Sequence, residues 1–195
     1  MNRIKIIASI VITLAVSGLA VWINSSNFEL GKYDSFQEAI EKGIPYEVND
    51  LIHIENYDGV NIVMYTTDPD KDELPHADFE ALALAFFKGS HQDGWEKLGV
   101  GGWTHYENDN MTVYREPLRV HDNKGNALHE FYVVFGEINN PEIAIIETKS
   151  HDDESFEEAK IIRKNGVARY YIQIGQQPIV RGLSKDGDVI DRQGG

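Results

Sequence analysis

The chain predicts a mainly β (α+β) fold: an N-terminal transmembrane helix, a short amphipathic helix, then an antiparallel β meander, sandwich-like and in two halves. Three observations carry this. Residues 6–23 are eighteen consecutive uncharged positions preceded by Arg3 and Lys5. Ser35 stands three residues before Glu38, the spacing of a helix capping box. Farther on, β-branched and aromatic runs flank Asp58-Gly59, Asn165-Gly166 and Asp186-Gly187, dipeptides that close tight hairpins.

At a helical rise of about 1.5 Å per residue, the uncharged segment spans roughly 27 Å, close to the ~30 Å hydrocarbon thickness of a bilayer. A cleaved secretory signal would have a shorter apolar region and a small-x-small site, which Gly18 and Ala20 supply. Val21, Trp22 and Ile23 continue the run past Ala20, and Trp22 falls where an interfacial aromatic belongs. An uncleaved signal anchor is therefore expected. Arg3 and Lys5 precede the segment and no basic residue follows until Lys32, so the bulk of the chain is expected outside. The expected location is the cell membrane, single-pass, with an extracytoplasmic C-terminal domain, or secreted if cleaved near Ala20.

The formal charge is −14. Residues 1–26 hold two basic side chains and no acid, which leaves 16 basic against 32 acidic side chains beyond them, a charge of −16. Such a surface repels phosphate backbones, so no nucleic-acid partner is expected. With no cysteine, disulfides, thiolate zinc sites, a cysteine nucleophile and a lipoprotein anchor are excluded.

Residues 24–27 read as a short polar tether, holding the folded part near the membrane. Residues 33–43 read as a helix capped by Ser35 and stopped by Gly43, burying Phe36, Ala39 and Ile40. Residues 51–55 and 60–66 then pair across Asp58-Gly59. Residues 82–88 match a helical face through Phe79, Leu82, Ala83 and Phe86. They are assigned to a strand because Gly89 and Asp93-Gly94 follow and residues 95–100 can pair back. Gly99, Gly101 and Gly102 suggest a bulge or tight turn, since the spacing and lysine of a phosphate loop are missing. Residues 111–115 form a further strand. Residues 116–127, with Pro117 and a turn-rich 122–126, mark the expected boundary between two halves. The predicted organisation is 1–26, anchor and tether; 27–116, an α+β half; and 117–195, an antiparallel β half with strands at 129–136, 142–149, 159–164, 167–175, 179–183 and 188–190.

The segments SFQEAIEKG, LIHIE, DGVNIVMYTT and the Ala-Leu run ending in DGW, followed by FYVVFGEINNPEIAIIE, RYYIQI and SKDGDVI, resemble a family of exported or membrane-anchored proteins of bacilli. The resemblance covers roughly residues 33–190. It implies an exported, two-part, β-rich ectodomain of a Gram-positive cell, with no activity and no functional residue to carry over.

Asp68, Asp70 and Asp72 alternate as ligands do in calcium loops, yet the sixth and twelfth positions of an EF-hand would fall on Glu73 and Phe79. A looser cation site or a solvated acidic loop remain the two readings of this stretch. His129-Glu130 lacks a second histidine at the metalloprotease spacing, where Val133 stands, and no serine occupies a nucleophile elbow. No cofactor is expected. Trp95, Trp103, Tyr106, Tyr170 and Tyr171 fit cross-strand core pairs better than a carbohydrate or peptide groove. The expected function is non-catalytic binding at the cell surface, with a protein or cell-wall partner. A binding protein dependent on calcium or another divalent cation and centred on Asp68, Asp70 and Asp72, or a cell-wall hydrolase using acidic residues, is the alternative.

Overall fold

The computed structural model describes residues 32–72, 74–175 and 177–194. The proposed anchor and tether lie outside these, and among the described residues no helix is long and apolar enough to cross a membrane. The helix α1 (Phe36–Gly43) begins at Ser35, whose Oγ accepts from the Glu38 backbone N–H at 3.1 Å. Glu38 reaches back to the Asp34 N–H at 3.1 Å, one residue before the usual capping-box partner. Tyr33 is not helical but bridges to Trp95.

Strands β1 (Asp50–Tyr57), β2 (Val60–Thr67), β3 (Ala81–Ser90) and β4 (Gly94–Leu98) form a true antiparallel meander, and β5 (Trp103–Thr104) also pairs with β3. The rest of the chain alternates between two more sheets. In the middle sheet, β6 (Tyr114–His121) and β7 (Ala127–Glu137) join β10 (Lys160–Lys164) and β11 (Ala168–Ile174) in the order β10-β11-β7-β6. In the outer sheet, β8 (Ile145–Lys149) and β9 (Glu157–Glu158) join β12 (Ile179–Leu183) and β13 (Val189–Gln193) in the order β13-β12-β8-β9. The expected antiparallel, mainly β character is present, but a continuous meander holds only for the first sheet. Asn139 to Pro141 does not close a hairpin; it hands the chain from the middle sheet to the outer one.

These elements stack in four layers. Alternate residues of one strand feed different cores: Leu82, Leu84 and Phe86 of β3 meet Phe131, Val133 and Phe135 of β7, whereas Ala83, Ala85 and Phe87 pack under Ala39 and Ile40 of α1. On the far face of β7, Val134 joins Tyr171, Ile143, Ile146 and Val180 against the outer sheet. Burial on both faces explains why residues 82–88 read as a uniform apolar run with a helical alternative. The strand assignment holds, and the small side chains of Ala83 and Ala85 face the helix.

The segment 116–127, expected as the boundary between the two halves, runs through strand β6 and its turn. Residues on both sides of it build the shared first core, and Pro117 lies inside β6, opposite Tyr132. The proline is tolerated because β6 is an edge strand. The turn chemistry of Asp122 closes the β6–β7 hairpin, its carboxylate accepting from the N–H groups of Lys124 and Asn126. At the first hairpin, Asp58 (φ 51°) and Gly59 (φ 73°) both adopt positive φ, the signature of a type I′ turn. Asn165 (φ 52°) and Gly166 (φ 75°) repeat it between β10 and β11.

Candidate functional site

Asp68, Asp70 and Asp72 are exposed, and the first two carboxylates make local hydrogen bonds. Asp68 Oδ1 accepts from Asn49 Nδ2 at 2.9 Å, and the same amide reaches Glu80 Oε1 at 3.1 Å. Asp70 Oδ1 accepts from the Asp72 N–H at 2.8 Å, a turn-forming bond. The structure does not bring the three together, and among the described residues no three His, Asp or Glu side chains converge as metal ligands.

The middle sheet offers a different site. Its outer face is covered by the outer sheet along only part of β7: Val134 and Gly136 are buried, Tyr132 is half-buried, and Glu130 and Leu128 are exposed. On the neighbouring edge strand β6, Pro117 and Arg119 flank this uncovered strip as register partners of Tyr132 and Glu130, and Arg115 stands at its border, opposite the buried Val134. Two concavities of about 250 and about 380 Å³ share Tyr132 and Gly175 in their walls. Together they make a groove across the strip.

Each wall has a local cause. The Gly175 N–H donates to the Tyr132 carbonyl at 2.8 Å, prolonging the β11–β7 ladder to the groove floor. Arg119 donates to the Tyr132 hydroxyl and lies over its ring at 5.5 Å from the centroid. Tyr57 closes one end, edge-on to Phe131 at 5.1 Å. At the other end, Ser150 Oγ accepts from the Asp152 and Asp153 N–H groups, a compact turn that sets His151 and Asp152 on the rim. Gln177 is fixed there: the buried Thr148 hydroxyl donates to its Oε1, and its Nε2 donates to Glu157 Oε2 at 2.9 Å. Arg115 lines the groove with a guanidinium that makes no hydrogen bond or ion pair to any described residue, and the side chains of His151 and Asp152 on the rim likewise make none. The arrangement presents an aromatic ring, one side-chain amide, an imidazole, the carboxylates of Asp152 and Glu130, and a guanidinium whose donors no described residue uses. That chemistry suits a hydroxylated, carboxylate-bearing ligand.

Two further polar groups occupy the space between the first and middle sheets, at opposite ends of β7. At one end the buried His129 bonds both Asp58 and Lys88. At the other, burial raises the carboxyl pKa of Glu137 above the ordinary value, with nearby Glu80 adding to the rise and a Thr112 hydrogen bond opposing it. Tyr170, opposite Glu137 in the ladder, is pushed up to about 12 by burial and then by Glu137, Glu80 and Asp50.

Of the aromatics singled out in the sequence, Tyr170 and Tyr171 are core, Tyr106 packs against that core, and Trp95 and Trp103 pack beside α1. The core reading was right for them, and Tyr132 was missed. The signal was available: if Phe131, Val133 and Phe135 face inward, Tyr132 faces out at a bulky aromatic position. Arg115 had no such signal. Comparison with models of protein families, with curated proteins and with solved structures yields no match.

Proposed function

We propose that this chain is a single-pass, outward-facing membrane protein whose ectodomain binds a carboxylate-bearing glycan of the cell wall in the groove around Tyr132, without turning it over. The anchor-like segment at 6–23 and the short tether support the location. One observation carries the binding reading, namely the Arg115 guanidinium, which lines the groove with no hydrogen bond or ion pair to any described residue. A guanidinium matches a carboxylate in two parallel hydrogen bonds, so an anionic group can be recognised locally even on a chain of charge −14. The tyrosine ring supplies a face for the sugar ring, and the Ser150 hydroxyl and Gln177 amide line the same groove for its hydroxyls.

The test is co-sedimentation of the full-length protein, in detergent, with purified Gram-positive cell wall, alongside assay of the supernatant for soluble fragments. Saturable retention with no fragments released is the expected result. Release of fragments would replace the reading with hydrolysis, and no retention would remove the wall as partner.

A further inference from the structure

We infer that a second, separate site beside Lys88 takes a small zwitterion, a molecule bearing both a carboxylate and an ammonium group, of free amino-acid size. The site lies on the edge of the first sheet and does not depend on the groove reading. It begins with His129, which is 7% exposed and faces the first sheet from β7. Its Nε2 is 3.0 Å from Lys88 Nζ, and its Nδ1 is 2.8 Å from Asp58 Oδ2. An ammonium only donates, so Nε2 accepts from Lys88, and Nδ1 carries the ring proton and donates to Asp58. Three segments, the β1–β2 turn, β3 and β7, thus hold one lysine head in place.

The consequence is a charge pair that does not close. Glu96 on β4 stands directly opposite Lys88 in the register, a position from which opposite charges ordinarily meet. The imidazole holds the ammonium elsewhere, and Glu96 has no hydrogen bond or ion pair to any described residue. Lys88 spends one of its three N–H donors on His129, and among the described residues no acceptor takes the other two. Both side chains line a cavity of about 260 Å³, with Lys32 and Asp93 adding one more charge of each sign. That volume is near the lower limit of small-molecule sites, about 300 Å³, and more than a single ion needs. An opposed cation and anion held apart in one lining, Lys88 and Glu96, match a ligand with separated charges better than a simple anion. The carboxylate would meet Lys88 and the ammonium Glu96.

Isothermal titration calorimetry on the full-length protein in detergent at pH 7 tests this, using glycine, L-alanine and D-alanine against acetate and methylamine as single-charge probes. At least one amino acid should bind saturably, with acetate and methylamine at least tenfold weaker. K88M should weaken that amino acid at least tenfold. E96Q should bring it to the level of acetate while leaving acetate unchanged. The Glu96 carboxylate bonds nothing described in the protein, so this variant tests the pocket even if K88M disturbs folding. Absence of amino-acid binding, acetate binding as tightly as the amino acid, or full affinity in E96Q would overturn the proposal.

Discussion

Strand β7 presents two regions on one face that differ only in what lies over them. Along Val134 and Gly136 the outer sheet covers it, and Tyr171 stands fully buried beside them with its hydroxyl donating to the Thr112 carbonyl at 2.7 Å. Along Leu128, Glu130 and Tyr132 nothing described covers it, and the neighbours become Arg119, Pro117 and a groove, with Arg115 at the border between the two. The same strand therefore serves as core in one half and as a presented surface in the other. Rigidity follows from the first half and recognition from the second, since a site built on a well-packed strand is held more closely than one on a loop.

The largest way to break this contrast is Gly136→Ala. A Cβ there would fall 2.0 Å from the Thr112 carbonyl oxygen and 2.8 Å from the Tyr171 ring, so backbone must move. A loss of more than about 3 kcal/mol is expected in urea unfolding. Val134→Ala, which empties a fully buried position, should cost about 2 kcal/mol by the same measurement. Tyr171→Phe removes one buried hydrogen bond and strands the Thr112 carbonyl, for about 1 to 2 kcal/mol.

A smaller effect, of opposite sign, is expected on the reverse face of β7. The folded-state pKa of Glu137 is raised, chiefly by burial, so the folded protein holds that proton more tightly than the unfolded chain. Its contribution is full below the ordinary carboxylate value of 4.5 and is lost as pH rises through the folded value. Glu137→Gln should therefore gain stability relative to the parent between pH 4 and pH 7, by up to about 1 kcal/mol. Melting curves at the two pH values would check it; an unchanged difference between them would contradict the assignment.

Much of this architecture is legible in the chain, because turn chemistry is local. Asp58-Gly59, Asn165-Gly166, Asp186-Gly187 and the Ser35 cap each act within four residues, and each sits where expected. Sheet membership is not local. Nothing near residues 139–141 reveals that the chain leaves one sheet for another, and Pro117 with the 122–126 turn reads equally as a linker or as an edge-strand hairpin. The candidate site was legible only in part for the same reason. Alternation predicts that Tyr132 points outward, but which outward half stays uncovered depends on where strands far along the chain come to rest. Asp68, Asp70 and Asp72 drew attention through spacing alone, and their hydrogen bonds are those of a turn and a neighbouring amide.

The claim that the uncovered half of β7 is a binding surface is tested most directly by Tyr132→Ala and Arg115→Gln, measured for unfolding stability and for retention on purified cell wall. Both side chains lie outside the packed cores, so Arg115→Gln should change stability by no more than about 0.5 kcal/mol and Tyr132→Ala, which gives up its Arg119 contacts, by about 1 kcal/mol, while retention falls at least tenfold. Parent-level retention in both variants, with the fold intact, would contradict the account.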